Sequence, residues 1–186
     1  TYTVTDQNVA TVNGNTVTIV GAGSTSITVT QAEDNNFAAA TATFTLTVNK
    51  ADPTISLADI SKTYGDANFN LSASSSSTGA FTYTIADQNI ARINGEAVSI
   101  EGAGSTSITV TQAADNNYNT ASKTINLSVA KATPTLSFNN VVKNYGDSSF
   151  TLAAQIDTSS GTLSYTSADN SVVSISGSTA TVTVEV

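Results

Sequence analysis

Apolar and small polar residues alternate with a period of two along most of the chain. The pattern is clear at 69–73, 107–111 and 124–129, where Leu71, Ile108, Val110, Ile125, Leu127 and Val129 are separated by Ser, Thr or Asn. In a strand, successive side chains point to opposite faces, so this spacing predicts strands with one buried face, and no segment shows helical spacing. Segments 90–93 and 97–100 flank Asn94-Gly95, and Asn13-Gly14 stands at the corresponding place upstream. An Asn-Gly pair between two apolar runs predicts a tight hairpin with positive φ, although Ser176-Gly177 replaces it further on. Gly102-Ala103-Gly104 and Asp115-Asn116-Asn117 punctuate the next two connections. About seven short strands then fit between 51 and 131, which predicts a β-sandwich. Its expected core is Phe69, Leu71, Tyr83, Ile85, Ile93, Val98, Ile100, Ile108, Val110, Leu127 and Val129.

The pattern is that of a repeat. Residues 1–50 match 82–131 at a constant offset of 81, with 31 identities in 50 positions and no gap. The run from Gly21 to Ala32 recurs unchanged from Gly102 to Ala113. The same offset carries Lys50-Ala51-Asp52-Pro53 onto Lys131-Ala132-Thr133-Pro134, and Lys62-Thr63-Tyr64-Gly65-Asp66 onto Lys143-Asn144-Tyr145-Gly146-Asp147. After one inserted residue near Ser159 the offset becomes 82, pairing Tyr83 with Tyr165. The only prolines, Pro53 and Pro134, fall at equivalent positions, where a fixed φ and a missing N–H favour a break. The expected organisation is the C-terminal part of a first repeat at 1–50, a complete repeat at 51–131 and the N-terminal part of a third at 132–186. Such a chain reads as a window on a longer array whose partial units are poorly stable alone.

Composition narrows the chemistry. The chain has 186 residues with a formal charge of -8, so electrostatic capture of nucleic acid or anionic lipid is not expected. No apolar run approaches the ~18 residues of a membrane span, and no direct membrane insertion is expected. His, Cys, Met and Trp are all absent. That removes histidine acid/base catalysis, thiol nucleophiles, Cys or His zinc sites and disulfides, and it predicts a protein that is not an enzyme.

The recurring aspartates are the remaining candidates for chemistry. Asp34 with Asp115, Asp66 with Asp147, and Asp87 with Asp6 and Asp169 sit at repeat-equivalent positions. Each could contribute to a calcium site, calcium being the one cofactor considered. Calcium takes six to eight oxygens from several clustered carboxylates, whereas each motif here supplies one, so turn formation is the reading that ligand count favours. Lys62 or Lys123 invites comparison with Lys–Asn crosslinks, with Glu101 as the buried carboxylate that would promote one, but Val20 replaces Glu101 in the first copy. Alternate threonines at 41, 43, 45 and 47 suit a strand; a flat ice-ordering face would require an untwisted sheet.

Four signatures in series carry a family resemblance: Ala86-Asp87-Gln88-Asn89-Ile90 leading to Asn94-Gly95, then Gly102-Ala103-Gly104-Ser105-Thr106-Ser107-Ile108, then Gln112-Ala113-Ala114-Asp115-Asn116-Asn117-Tyr118, and finally Leu127-Ser128-Val129-Ala130-Lys131. Together with Lys62-Thr63-Tyr64-Gly65-Asp66, this series resembles the tandem bacterial immunoglobulin-like repeats of large surface or secreted adhesin-like proteins. The resemblance implies an all-β fold of tandem immunoglobulin-like Greek-key β-sandwich domains of about 81 residues. It also implies an extracellular location, on a bacterial cell surface or secreted, and a structural stalk or spacer role in cell adhesion. Its partners would be neighbouring repeats of the same chain. The alternative is a module that binds a surface protein or glycan through loops 115–119 and 74–79.

Overall fold

The computed structural model describes residues 1–183, and every regular element among them is a β-strand. The first stretch contains β1 (Tyr2–Val4), β2 (Ala10–Asn13), β3 (Thr16–Ile19), β4 (Gly23–Gln31) and β5 (Ala40–Val48). They form a sheet in the order β1-β4-β5 and a separate β2-β3 hairpin. The central repeat contains β6 (Ile55–Ser56), β7 (Ile60–Thr63), β8 (Phe69–Asn70), β9 (Ser74–Ser75), β10 (Phe81–Ile85), β11 (Ala91–Asn94), β12 (Ala97–Ile100), β13 (Gly104–Gln112) and β14 (Ala121–Ala130). Beyond it come β15 (Leu136–Ser137), β16 (Phe150–Thr151), β17 (Gln155–Ile156), β18 (Val173–Ser176) and β19 (Thr179–Val182). The chain divides into two compact units, Thr1–Lys131 and a second beginning at Ala132, so Pro134 lies near the division and Pro53 lies inside the first unit.

In the central repeat, one sheet has the order β10-β13-β14-β7 and a second the order β11-β12-β8, with β6 and β9 paired apart. All pairings are antiparallel except β14 with β7, which run parallel with Leu127 opposite Ile60 and Val129 opposite Lys62. Both sheets contribute to one buried cluster of Leu71, Ala91, Val98, Ile108, Ile125, Leu127 and Val129. The alternation read from the sequence explains this. On β13, Ile108 and Val110 point inward and are fully buried while Ser105 is exposed, as a period-two strand requires. Burying a Leu, Ile or Val side chain contributes roughly 1.5–3 kcal/mol, offset by the entropy of ordering it.

Of the expected core residues, Leu71, Val98, Ile108, Val110, Leu127 and Val129 are buried. Phe69, Tyr83, Ile85, Ile93 and Ile100 are half-buried and pack around the cluster. The central repeat has nine strands where about seven were expected, because β6, β8 and β9 are two-residue pieces. The alternation at 69–73 yields only the short β8, after which Leu71 turns into the core and its N–H donates to Glu96 O at 2.9 Å.

The hairpins differ from the expected Asn-Gly geometry. Asn94 is still paired with Ala97, so the two-residue turn is Gly95-Glu96. Only the glycine has positive φ, +62°, and no residue other than glycine has positive φ among those described. This is the pattern of a turn with glycine at its first central position. The asparagine needs no special conformation, which is why Ser176 serves equally before Gly177, whose φ is +60°.

Candidate functional site at the joint between repeats

The segment from Lys50 to Pro53 carries the chain from the first copy into the central repeat. It is held along its length. Ala51 forms a parallel bridge with Tyr118, its N–H donating to Asn117 O at 2.9 Å while the Asn119 N–H donates to Ala51 O at 2.8 Å. The Asn119 Nδ2 donates to Asp52 Oδ1 at 2.7 Å, and the Lys50 ammonium donates to Asp115 O at 2.6 Å. Pro53 is buried.

A second contact closes the joint from the other side. Asn117 Oδ1 accepts the N–H of Ala22, in the Gly21-Ala22-Gly23 connection between β3 and β4, at 2.8 Å. As at Gly102, where a Cβ would stand 2.6 Å from Asn89 O, the loop of the same copy requires glycine at position 21, and Asn117 adds to the crowding. A Cβ there would stand 2.7 Å from Asn8 O and 3.0 Å from Asn117 Oδ1. Beside this contact lies an open cleft bordered by Asp6, Val9, Gly23, Lys50 and Asn117.

The loop presenting Asn117 is itself rigidly built. Asp115 Oδ1 accepts the N–H groups of Asn117 and Tyr118, both at 2.8 Å, which forms an Asx turn. Its Oδ2 accepts Ser77 Oγ at 2.8 Å, Thr78 N–H at 2.9 Å and Thr78 Oγ1 at 3.1 Å. The Thr78 N–H, followed by the Ser77 hydroxyl and the turn N–H groups, holds the Asp115 carboxyl far below the usual carboxylate range. Below it, the fully buried Gln112 donates through Nε2 to Ser77 O and Gly79 O, each at 3.0 Å. Loops 115–119 and 74–79, singled out from the sequence as binding loops, are thus bonded to each other, and the first of them also reaches Ala22.

The other aspartates serve their own turns. Asp34 Oδ1 accepts Asn36 and Phe37 N–H at 2.8 Å each, reproducing the Asp115 turn. Asp66 accepts Thr63 N–H at 2.9 Å and Asp147 accepts Asn144 N–H at 3.0 Å. Asp87 and Asp6 each accept the N–H and Nδ2 of the asparagine two residues on, Asn89 and Asn8, at 2.9 and 3.0 Å. Asp169 likewise accepts from Ser171. Among the described residues, no three acidic side chains gather as a cation site would require. The buried threonines Thr106 and Thr25 anchor these loops, accepting the N–H of Asp87 at 3.0 Å and of Asp6 at 2.8 Å.

Glu101 is exposed rather than buried. Sitting at the end of β12, it accepts from Ser99 Oγ and lies 4.0 Å from the Arg92 guanidinium. It therefore lacks the dry surroundings that would let it promote a crosslink. The Lys62 ammonium lies 4.7 Å from the centre of the Phe69 ring, and Lys143 stands similarly over Phe150 at 5.2 Å. The threonine hydroxyls on the β-ribbons pair across strands, Thr28 with Thr43 at 2.8 Å and Thr109 with Thr124 at 2.9 Å.

No family model matches the chain, and no curated protein matches it. The class that fold and site define is therefore the coarse one: an all-β protein of tandem repeats with a hydrogen-bonded joint.

Proposed function

We propose that the chain is a non-catalytic spacer, a run of immunoglobulin-like β-sandwich units in a long, bacterial, adhesin-like surface or secreted protein. Its task in this reading is geometric: each unit adds length, and the joint fixes the direction in which the next one continues. The observation that carries the reading is the bond from Ala22 N–H to Asn117 Oδ1, made together with the Ala51 bridge. A linker spent entirely on such contacts has no slack for independent motion of the two copies. The sequence supports the same role, since the joint's components recur as Asn36 and as Gly102-Ala103. Two sheets closing on one core, with a parallel edge strand, are compatible with an immunoglobulin-like sandwich.

The alternative, recognition of a glycan or protein through loops 115–119 and 74–79, is less well supported. Those loops are bonded to one another and to the preceding copy, and a ligand would have to compete with these contacts. Small-angle scattering of the intact chain, with and without calcium, separates the readings. A spacer gives a pair-distance distribution unchanged by calcium and by added glycans. A distribution that shifts on adding either, or one typical of a freely hinged chain, overturns it.

A further inference from the structure

One sheet edge stays open within the complete central repeat. β10 ends the sheet β10-β13-β14-β7, and its register with β13 decides which of its backbone groups are used. Ala86 N–H donates to Ser107 O and Ala113 N–H donates to Ala80 O, both at 3.0 Å. Hydrogen-bonded pairs alternate along an antiparallel ladder, so Thr82 and Thr84 also turn their N–H and C=O groups towards β13. Phe81, Tyr83 and Ile85 turn theirs away from the sheet. Among the described residues, none of these six groups has a partner.

The other edges of the two main sheets carry features that discourage pairing: β7 holds Lys62, β11 holds the exposed Arg92, and β8 is two residues long. β10 has none of these. Its five residues, Phe81-Thr82-Tyr83-Thr84-Ile85, include no charge and no proline. Beside it an open cleft of about 310 Å³ separates the strand from the β11–β12 turn, bordered by Phe81, Tyr83, Ile93, Gly95 and Glu96. The Phe81 and Tyr83 rings lie on the same side of β10 with centroids 6.3 Å apart, and both are half-buried. Glu96 is exposed and, among the described residues, has no ion pair.

We propose that β10 of the central repeat takes up an extended segment of a partner protein as an added strand, with apolar and polar residues in alternation and a lysine or arginine beside Glu96. Three N–H and three C=O groups presented by alternate residues are matched in spacing by another extended backbone. The inward side chains of the added strand enter the cleft and cover Phe81 and Tyr83, while its outward ones line up with Thr82 and Thr84. Glu96 and the net charge of -8 favour a basic segment and oppose a second copy of this chain. Asn15 and Ser178 stand at the positions equivalent to Glu96, so selection for a basic residue belongs to this copy of the three.

Amide hydrogen exchange of the intact chain, read residue by residue by NMR, tests this. The probe is a short end-capped peptide of alternating valine and threonine with a lysine at each end, used at millimolar concentration. The N–H groups of Phe81, Tyr83 and Ile85 are expected to exchange at least about tenfold more slowly when it is added. Those of Thr82 and Thr84, already bonded to β13, should not change. Glu96→Gln leaves the backbone of β10 untouched and is expected to weaken binding of the peptide roughly two- to fivefold, as loss of one exposed ion pair would. Exchange at 81, 83 and 85 that is as fast with the peptide as without it overturns the proposal. So does protection of those amides that grows with protein concentration in the absence of peptide, which would place a second copy on the edge, or equal affinity for a peptide ended by glutamates.

Discussion

Asn117 and Ala22 stand 95 residues apart in the chain, yet the side-chain oxygen of the first accepts the backbone N–H of the second at 2.8 Å. The bond joins the loop before β14 to the loop before β4, and thereby one copy of the repeat to the next. Asn117→Ala removes it while leaving the Asp115 turn intact, because that turn uses the Asn117 backbone. The expected outcome is a loss of about 1 kcal/mol of coupling between the copies. Residual dipolar couplings that no longer fit a single orientation of 1–50 and 51–131, with the central melt nearly unchanged, are the measurement.

Equivalent leucines should differ in cost. Leu127 is fully buried, so Leu127→Ala is expected to destabilise the central repeat by roughly 2–5 kcal/mol. Leu46, half-buried on β5, should cost less, at most about 2 kcal/mol, on the same substitution. Urea denaturation of both variants provides the comparison, and equal losses would contradict the burial difference.

Acid should weaken the central repeat through Asp115. Its carboxyl is held below the ordinary value of 3.8, so the folded state binds fewer protons there than the unfolded chain. The stabilising contribution is complete above that ordinary value and is lost as pH falls below it towards the folded value. Asp115→Asn is expected to lower the melting temperature at neutral pH and to flatten its fall in acid. A variant whose melt parallels the parent at every pH would show that the five donors do not stabilise the charge.

Glycine at 79 is expected to be irreplaceable. A Cβ there would lie 1.9 Å from Ala113 O, a backbone atom that cannot move without disturbing β13. At the equivalent Gly161 the nearest atom is Ser159 Oγ at 3.3 Å, which can rotate away. Gly79→Ala should therefore cost at least ~2 kcal/mol, and Gly161→Ala within about 0.5 kcal/mol of nothing. Thermal melts of both variants decide it.

Calcium is expected to leave the melting temperature unchanged. Asp115 directs both oxygens at N–H and O–H donors, and Asp34, Asp66, Asp87 and Asp147 each cap a turn. A rise in melting temperature on adding millimolar calcium would mean that the cation replaces those donors.

Much of this was legible without coordinates. A period-two alternation has one physical meaning in a folded chain, a strand with a wet face and a dry one, and it placed Ile108, Val110, Leu127 and Val129 in the core. Repetition supplied the rest of the sequence-level picture, because an offset of 81 that preserves Gly21 as Gly102 and Asp34 as Asp115 preserves their turns as well. Three matters were decided only by the tertiary structure. Which residue of Asn94-Gly95 takes positive φ depends on strand register, and Asn94 is still in the ladder. Glu101 is exposed because β12 ends there, which alternation alone does not reveal. Asn117 is a joint residue because a loop bent by Asp115 meets a glycine connection from another copy. That last relation has no local signature: identical Asp-Asn-Asn runs form identical turns, and only packing between copies determines which turn finds Ala22.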